Sequence, residues 1–75
     1  MQLTQRVTEE VRAEMARRRL TQQDLADALR WTPGYLSRRL TGEVAWSLDD
    51  IEEVAAALQV PPLALLAPAS RLAIA

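Results

Sequence analysis

Residues 24–36 read Asp24-Leu25-Ala26-Asp27-Ala28-Leu29-Arg30-Trp31-Thr32-Pro33-Gly34-Tyr35-Leu36. Leu25, Ala26 and Leu29 lie three and four apart, which gives a short amphipathic helix with one inward stripe. The small Ala26 beside Leu25 lets a neighbouring helix approach closely. Arg30-Trp31 breaks the pattern without a glycine. Thr32 then offers a hydroxyl to free backbone amides. Pro33 suits a first helical position, where its missing N–H would have had no partner. The second helix continues through Ser37, Arg38 and Arg39 to Leu40, with Leu36 and Leu40 facing inward. Thr41-Gly42 closes it, because glycine tolerates the left-handed residue past a helix end. Helices joined by so short a break must cross steeply. The outer face of the second carries Tyr35, Arg38 and Arg39, which lie three and four apart and so share a side.

Working outward, Leu3, Val7, Val11 and Met15 recur every four residues and predict a first helix from Leu3 to Arg18. Arg17-Arg18-Arg19 closes it. These cations either compensate the helix dipole or sit over a phosphate strand. Thr21 caps the next helix, with Asp24 at its third position in capping-box spacing. Gln22 stands beside the free amides, a place that suits a phosphate oxygen. Trp31 reads either as a core plug beneath the turn or as a partly exposed wedge, and core packing is the favoured reading. Glu43 to Trp46 form a loop that Trp46 anchors to the core. Ser47 caps a fourth helix whose inner stripe is Leu48, Ile51, Val54, Ala55 and Leu58. Asp49, Asp50, Glu52 and Glu53 are assigned to its solvated outer face. Being consecutive around one helix, they do not gather into a metal site. Pro61 or Pro62 starts a short fifth helix through Leu63 to Leu66. The expected boundaries are a domain over residues 1–67 and a linker or flexible tail over 68–75.

The chain has 75 residues, enough for one small domain with a modest core. It contains no cysteine and no histidine, which excludes a disulfide scaffold and the usual soft metal sites. No cofactor is expected. No Ser or Thr has a candidate base nearby, and a domain this small has little room for a pocket, so an enzyme is not expected. No apolar run reaches the roughly 18 residues of a membrane span, and no secretory signal is read at the start. The expected location is the cytoplasm of a bacterial host cell. Net charge is −1, but unevenly spread. Residues 1–42 hold eight arginines against five acidic residues, and residues 43–75 hold one arginine against five. Such a dipolar molecule can still offer a positive face to phosphate.

A steep helix pair with arginines on its outer face is a helix-turn-helix, which presents its second helix to a major groove. The stretch from Leu20 to Leu66 resembles the lambda-repressor-like, Cro-type helix-turn-helix family, also called the XRE family. Three segments carry the resemblance: Leu20-Thr21-Gln22-Gln23-Asp24-Leu25-Ala26, Tyr35-Leu36-Ser37-Arg38-Arg39-Leu40-Thr41-Gly42, and Ser47-Leu48-Asp49-Asp50-Ile51 through Leu58-Gln59-Val60-Pro61. The resemblance implies an all-α, five-helix lambda-repressor-like bundle whose second and third helices form the DNA-reading unit. It also implies that Gln22 contacts backbone phosphate and that Thr32, Pro33, Gly34, Tyr35 and Arg38 lie along the groove-facing surface. The run from Ser37 to Gly42 is most similar to repressors of actinobacterial phages and prophages.

The sequence departs from the family at three places. Arg30 stands where glycine often occupies the turn. Pro33 and Gly34 replace polar side chains and cannot read base edges. Arg39 stands where an aliphatic residue is common, which suggests a half-buried stem with only its head exposed. Direct readout would rest on Tyr35, Arg38 and Arg39, with Arg17, Arg18 and Arg19 as further phosphate contacts. The expected partner is a double-stranded DNA operator, bound by a homodimer or with a second DNA-binding domain in a longer chain. The alternative from another class is a protein-interaction module, such as an antitoxin or adaptor, that uses the acidic fourth helix and the apolar tail.

Overall fold

A computed structural model describes residues 3–66, which form five α-helices and no strand. They are α1 (Leu3–Arg17), α2 (Gln22–Leu29), α3 (Pro33–Leu40), α4 (Leu48–Leu58) and α5 (Pro62–Leu66). The all-α, five-helix fold class read from the sequence is the one observed. The tail assigned to 68–75 lies outside the described residues.

Three helix starts follow from local chemistry. Thr21 and Ser47 each accept the N–H of the residue three ahead, Asp24 and Asp50. Each of those carboxylates accepts the cap's own N–H in return. Two otherwise orphaned amides are satisfied at each end by this reciprocal pair. Thr32 caps α3 by accepting from the Tyr35 N–H at 3.2 Å, with Pro33 at the first helical position. α1 stops at Arg17, one residue earlier than its periodicity suggested.

Three helix ends share a motif that the sequence does not advertise. Arg19, Arg30 and Gln59 all adopt left-handed backbone, with φ of 56°, 60° and 59°. In each case the following residue reaches back five: Leu20 N–H to Met15, Trp31 N–H to Ala26, Val60 N–H to Ala55. This is the Schellman closure, here built without glycine. Its companion is a hydrophobic contact after the reversal, and Leu20, Trp31 and Val60 all pack against the core while partly buried. Core packing, the favoured reading of Trp31, is the one observed. The residue keeps some exposure beside the turn.

Val7, Val11, Met15, Leu25, Leu36, Val54, Leu58 and Leu65 meet at the centre. α1 lies against α3, α4 and α5, while α2 lies against α3 and α4. Trp46 secures the α3–α4 loop as expected. Its ring is buried, its Nε1–H donates to Thr8 Oγ1 at 2.8 Å, and its backbone N–H donates to Thr4 Oγ1. Two stripe assignments need correction. Leu3 is 68% exposed and Leu48 is 81% exposed, because each opens its helix beyond the end of the core. The periodic pattern is right, but the packing partners run out.

Candidate nucleic-acid interface

An α-helix turns about 100° per residue, so α3 can present three distinct sides. The first, Leu36 and Leu40, is buried in the core. The second is an outward stripe of Gly34, Ser37, Arg38 and Thr41, spaced three and four apart. Arg38 and Thr41 are exposed on it, and Gly34 and Ser37 half-buried. The third side, Tyr35 and Arg39, turns toward the first turn of α4. Tyr35 and Arg39 therefore do not share the exposed face of Arg38, which corrects the expectation from spacing alone.

What draws them away is Asp50. This residue is also removed from the solvated acidic face to which the sequence assigned it, being only 2% exposed. Its Oδ1 accepts the Tyr35 hydroxyl at 2.7 Å. Its Oδ2 accepts both Arg39 Nε at 2.8 Å and the Ser47 N–H at 3.0 Å. Arg39 Nη1 also donates to the Tyr35 carbonyl. The Arg39 guanidinium lies 3.6 Å from the centre of the Tyr35 ring, and that ring meets Trp31 edge-on at 4.6 Å. The Arg39 side chain is 12% exposed, and its head, rather than its stem, is the tethered part. A continuous stack thus runs from the turn before α3 to the cap of α4. Burial alone would raise the Asp50 pKa. Hydrogen bonds from Arg39, Ser47 and Tyr35 outweigh burial and hold it below the usual carboxylate value. The bond donated to Asp50 pushes the Tyr35 hydroxyl upward, keeping it a donor.

Arg38 is differently placed. It makes no ion pair among the described residues. Its guanidinium leans back along the helix, and a Cβ built on Gly34 would come 3.3 Å from Nη1. Gly34 thus leaves space beneath an exposed cation. Thr32 and Pro33 are exposed at the same end of the helix, and Gln22 is exposed at the first position of α2. Arg17 and Arg18 both pair with Glu14, so part of their charge is answered within α1. Arg19 and Arg30 are exposed and carry no guanidinium partner among the described residues. Arg30 was read from sequence only as an oddity of the turn. Its left-handed backbone puts an unpaired cation at the tip of that turn.

Arg12 was not singled out from sequence. Its Nη2 donates to the Leu40 carbonyl at 3.0 Å, satisfying an orphan acceptor at the end of α3. No local pattern signals this contact, because its partner lies 28 positions away. Among the described residues no group of three acidic side chains is gathered to hold a metal ion, and no helix is long and apolar enough to cross a membrane.

Residues 6–68 match a family described as the helix-turn-helix domain. The structure is similar to that of the hypothetical transcription factor NHTF from Neisseria, with a TM-score of 0.86 and 27% identity over 99% of this chain and 86% of that one. It is also similar to the clp gene regulator ClgR from C. glutamicum, with a TM-score of 0.79 and 29% identity over 88% of this chain and 86% of that one. No curated protein is significantly similar to the chain.

Proposed function

The chain belongs to the helix-turn-helix domain family, and from that premise we propose that it is a sequence-specific, double-stranded-DNA-binding transcriptional regulator. α3 enters the major groove with its Gly34–Ser37–Arg38–Thr41 stripe facing the bases. The observation that carries this reading is Arg38: an exposed guanidinium, unpaired among the described residues, on the side of α3 opposite the core. It donates two hydrogen bonds to the O6 and N7 of one guanine, the pairing for which a planar fork is best shaped. Thr32, Pro33 and Gly34 let the backbone come close to the duplex. Gln22 and the α2 amides hold one phosphate, with Arg19 contributing charge just before that helix start and Arg30 adding positive charge at the opposite end of α2. Tyr35 and Arg39 brace the helix and do not read.

The finer reading is a repressor of phage or prophage immunity type. It is supported by the resemblance of residues 37–42 to such repressors, while the two structural neighbours, described as a transcription factor and a gene regulator, support the coarser reading of a regulator. One 75-residue domain reads few base pairs, so a homodimer or a second domain supplies the other half-site, about 34–36 Å away. The exposed acids Asp49, Glu52 and Glu53 on α4 favour a second reading, a protein-interaction module such as an antitoxin or adaptor. Selection of bound duplexes from a random pool separates the two. DNA reading enriches a short motif, paired about one helical turn apart in the dimer case. A protein adaptor enriches none.

A further inference from the structure

The chain holds one arginine of its DNA-facing helix out of use. Arg38 and Arg39 are neighbours on α3, yet only Arg38 is free. Arg39 is clasped by the Asp50 carboxylate on one side, the Tyr35 carbonyl on another and the Tyr35 ring face below. Two of these three groups lie within α3 itself. The decisive one, Asp50, belongs to α4 and is buried.

Resting on the DNA-binding reading above, we infer that Asp50 is a positioning residue that withholds Arg39 from the phosphate backbone. It thereby leaves Arg38 as the sole guanidinium that α3 offers to DNA. Every phosphate contact adds affinity for all sequences alike, so an extra free arginine on the reading helix raises non-specific binding without raising discrimination. Clasping Arg39 avoids that. The tether also orients the helix. With Leu36 and Leu40 in the core and Tyr35 and Arg39 drawn toward α4, the remaining stripe of α3 faces outward.

The test uses the full chain and a mixed-sequence duplex with no selected site, with anisotropy measured over a salt series. Each phosphate contact adds about 0.9 to the slope of log K against log salt, or about a 3.5-fold affinity change between 50 and 200 mM. Asp50→Asn can still accept from the Ser47 N–H but no longer offers Arg39 a charge. Its slope is expected to steepen by about 0.9, with helix content by circular dichroism unchanged. The double variant Asp50→Asn/Arg39→Gln is expected to return to the wild-type slope. Arg39→Gln alone, which leaves Asp50 intact, is expected to keep that slope and makes the test independent of whether Asp50→Asn folds.

An unchanged slope in folded Asp50→Asn, or a shallower slope in Arg39→Gln, overturns the inference while leaving DNA binding standing. Wild-type protein that binds no duplex in a salt-dependent way overturns the DNA-binding reading, and this inference with it.

Discussion

Replacing Arg30 by glycine is expected to stabilise the fold while weakening its grip on DNA. Arg30 sits at φ 60° and ψ 33° in the reversal between α2 and α3. Its own N–H donates to the Asp27 carbonyl at 3.1 Å, and the Trp31 N–H donates to Ala26 at 2.9 Å. Neither bond needs the Arg30 side chain, which is exposed and unpaired among the described residues. An L-residue in this left-handed region costs about 1–2 kcal/mol because its Cβ crowds the following carbonyl. Glycine removes that cost but gives back about 0.5–1 kcal/mol through the greater freedom of the unfolded chain. The net gain is about 0.5–1 kcal/mol, or about 2–8 °C in Tm for a domain of this size. Thermal unfolding followed by far-ultraviolet circular dichroism reads this directly. Arg30→Ala is the matched control: it loses the same charge but keeps the Cβ, so it gains nothing. Equal stability of the two variants would show that the left-handed Arg30 stores no strain. Both variants should lose about 0.9 from the salt slope of duplex binding if Arg30 lies against a phosphate.

Three further outcomes follow from the packing and the caps. Leu36→Ala empties the centre of the core from within α3, where Leu36 has no exposure, and should destabilise by about 2–5 kcal/mol in urea unfolding. Trp46→Phe keeps an aromatic ring in place but removes the N–H that Thr8 Oγ1 accepts, leaving that hydroxyl only its own donation to the Thr4 carbonyl, and should cost about 1 kcal/mol in the same assay. Acid should unfold the domain. Asp50 is held low by bonds from Arg39, Ser47 and Tyr35 against the pull of burial, and Asp24 by the backbone and side chain of Thr21. A folded pKa below the unfolded one stabilises above the unfolded value of 3.8 and is lost as pH falls through the folded value. Tm should therefore be insensitive to these groups near neutrality and fall below about pH 4. In Asp50→Asn that acid-side decline should be blunted.

The parts of this fold that were legible in the sequence are those that local chemistry determines. Thr21 with Asp24, Thr32 with Pro33, and Ser47 each declare a helix start, and all three starts stand where the sequence places them. The Leu25–Ala26 and Leu36–Leu40 pairs declare the inward faces. The parts that were not legible depend on partners distant in the chain. Asp50 lies one residue, about 100° of helix, from Ile51. That places it on the flank of α4, where a carboxylate is solvated unless another helix covers it. α3 covers it, and nothing within residues 47–58 reports that. The left-handed Arg19, Arg30 and Gln59 were hidden for a related reason. Glycine is the usual signal for such a reversal, and here hydrophobic residues after the turn, Leu20, Trp31 and Val60, hold the backbone in place instead. Spacing alone grouped Tyr35, Arg38 and Arg39. It could not say which of them a buried carboxylate would claim.

Whether Arg38 reads a base is decided by comparing Arg38→Ala with wild type on a selected operator and on a scrambled duplex of equal length. A bidentate guanine contact carries about 1–3 kcal/mol of discrimination, so operator affinity should fall about 5- to 150-fold further than scrambled-duplex affinity. Equal losses on the two duplexes would make Arg38 a phosphate contact and remove it as a reader of bases.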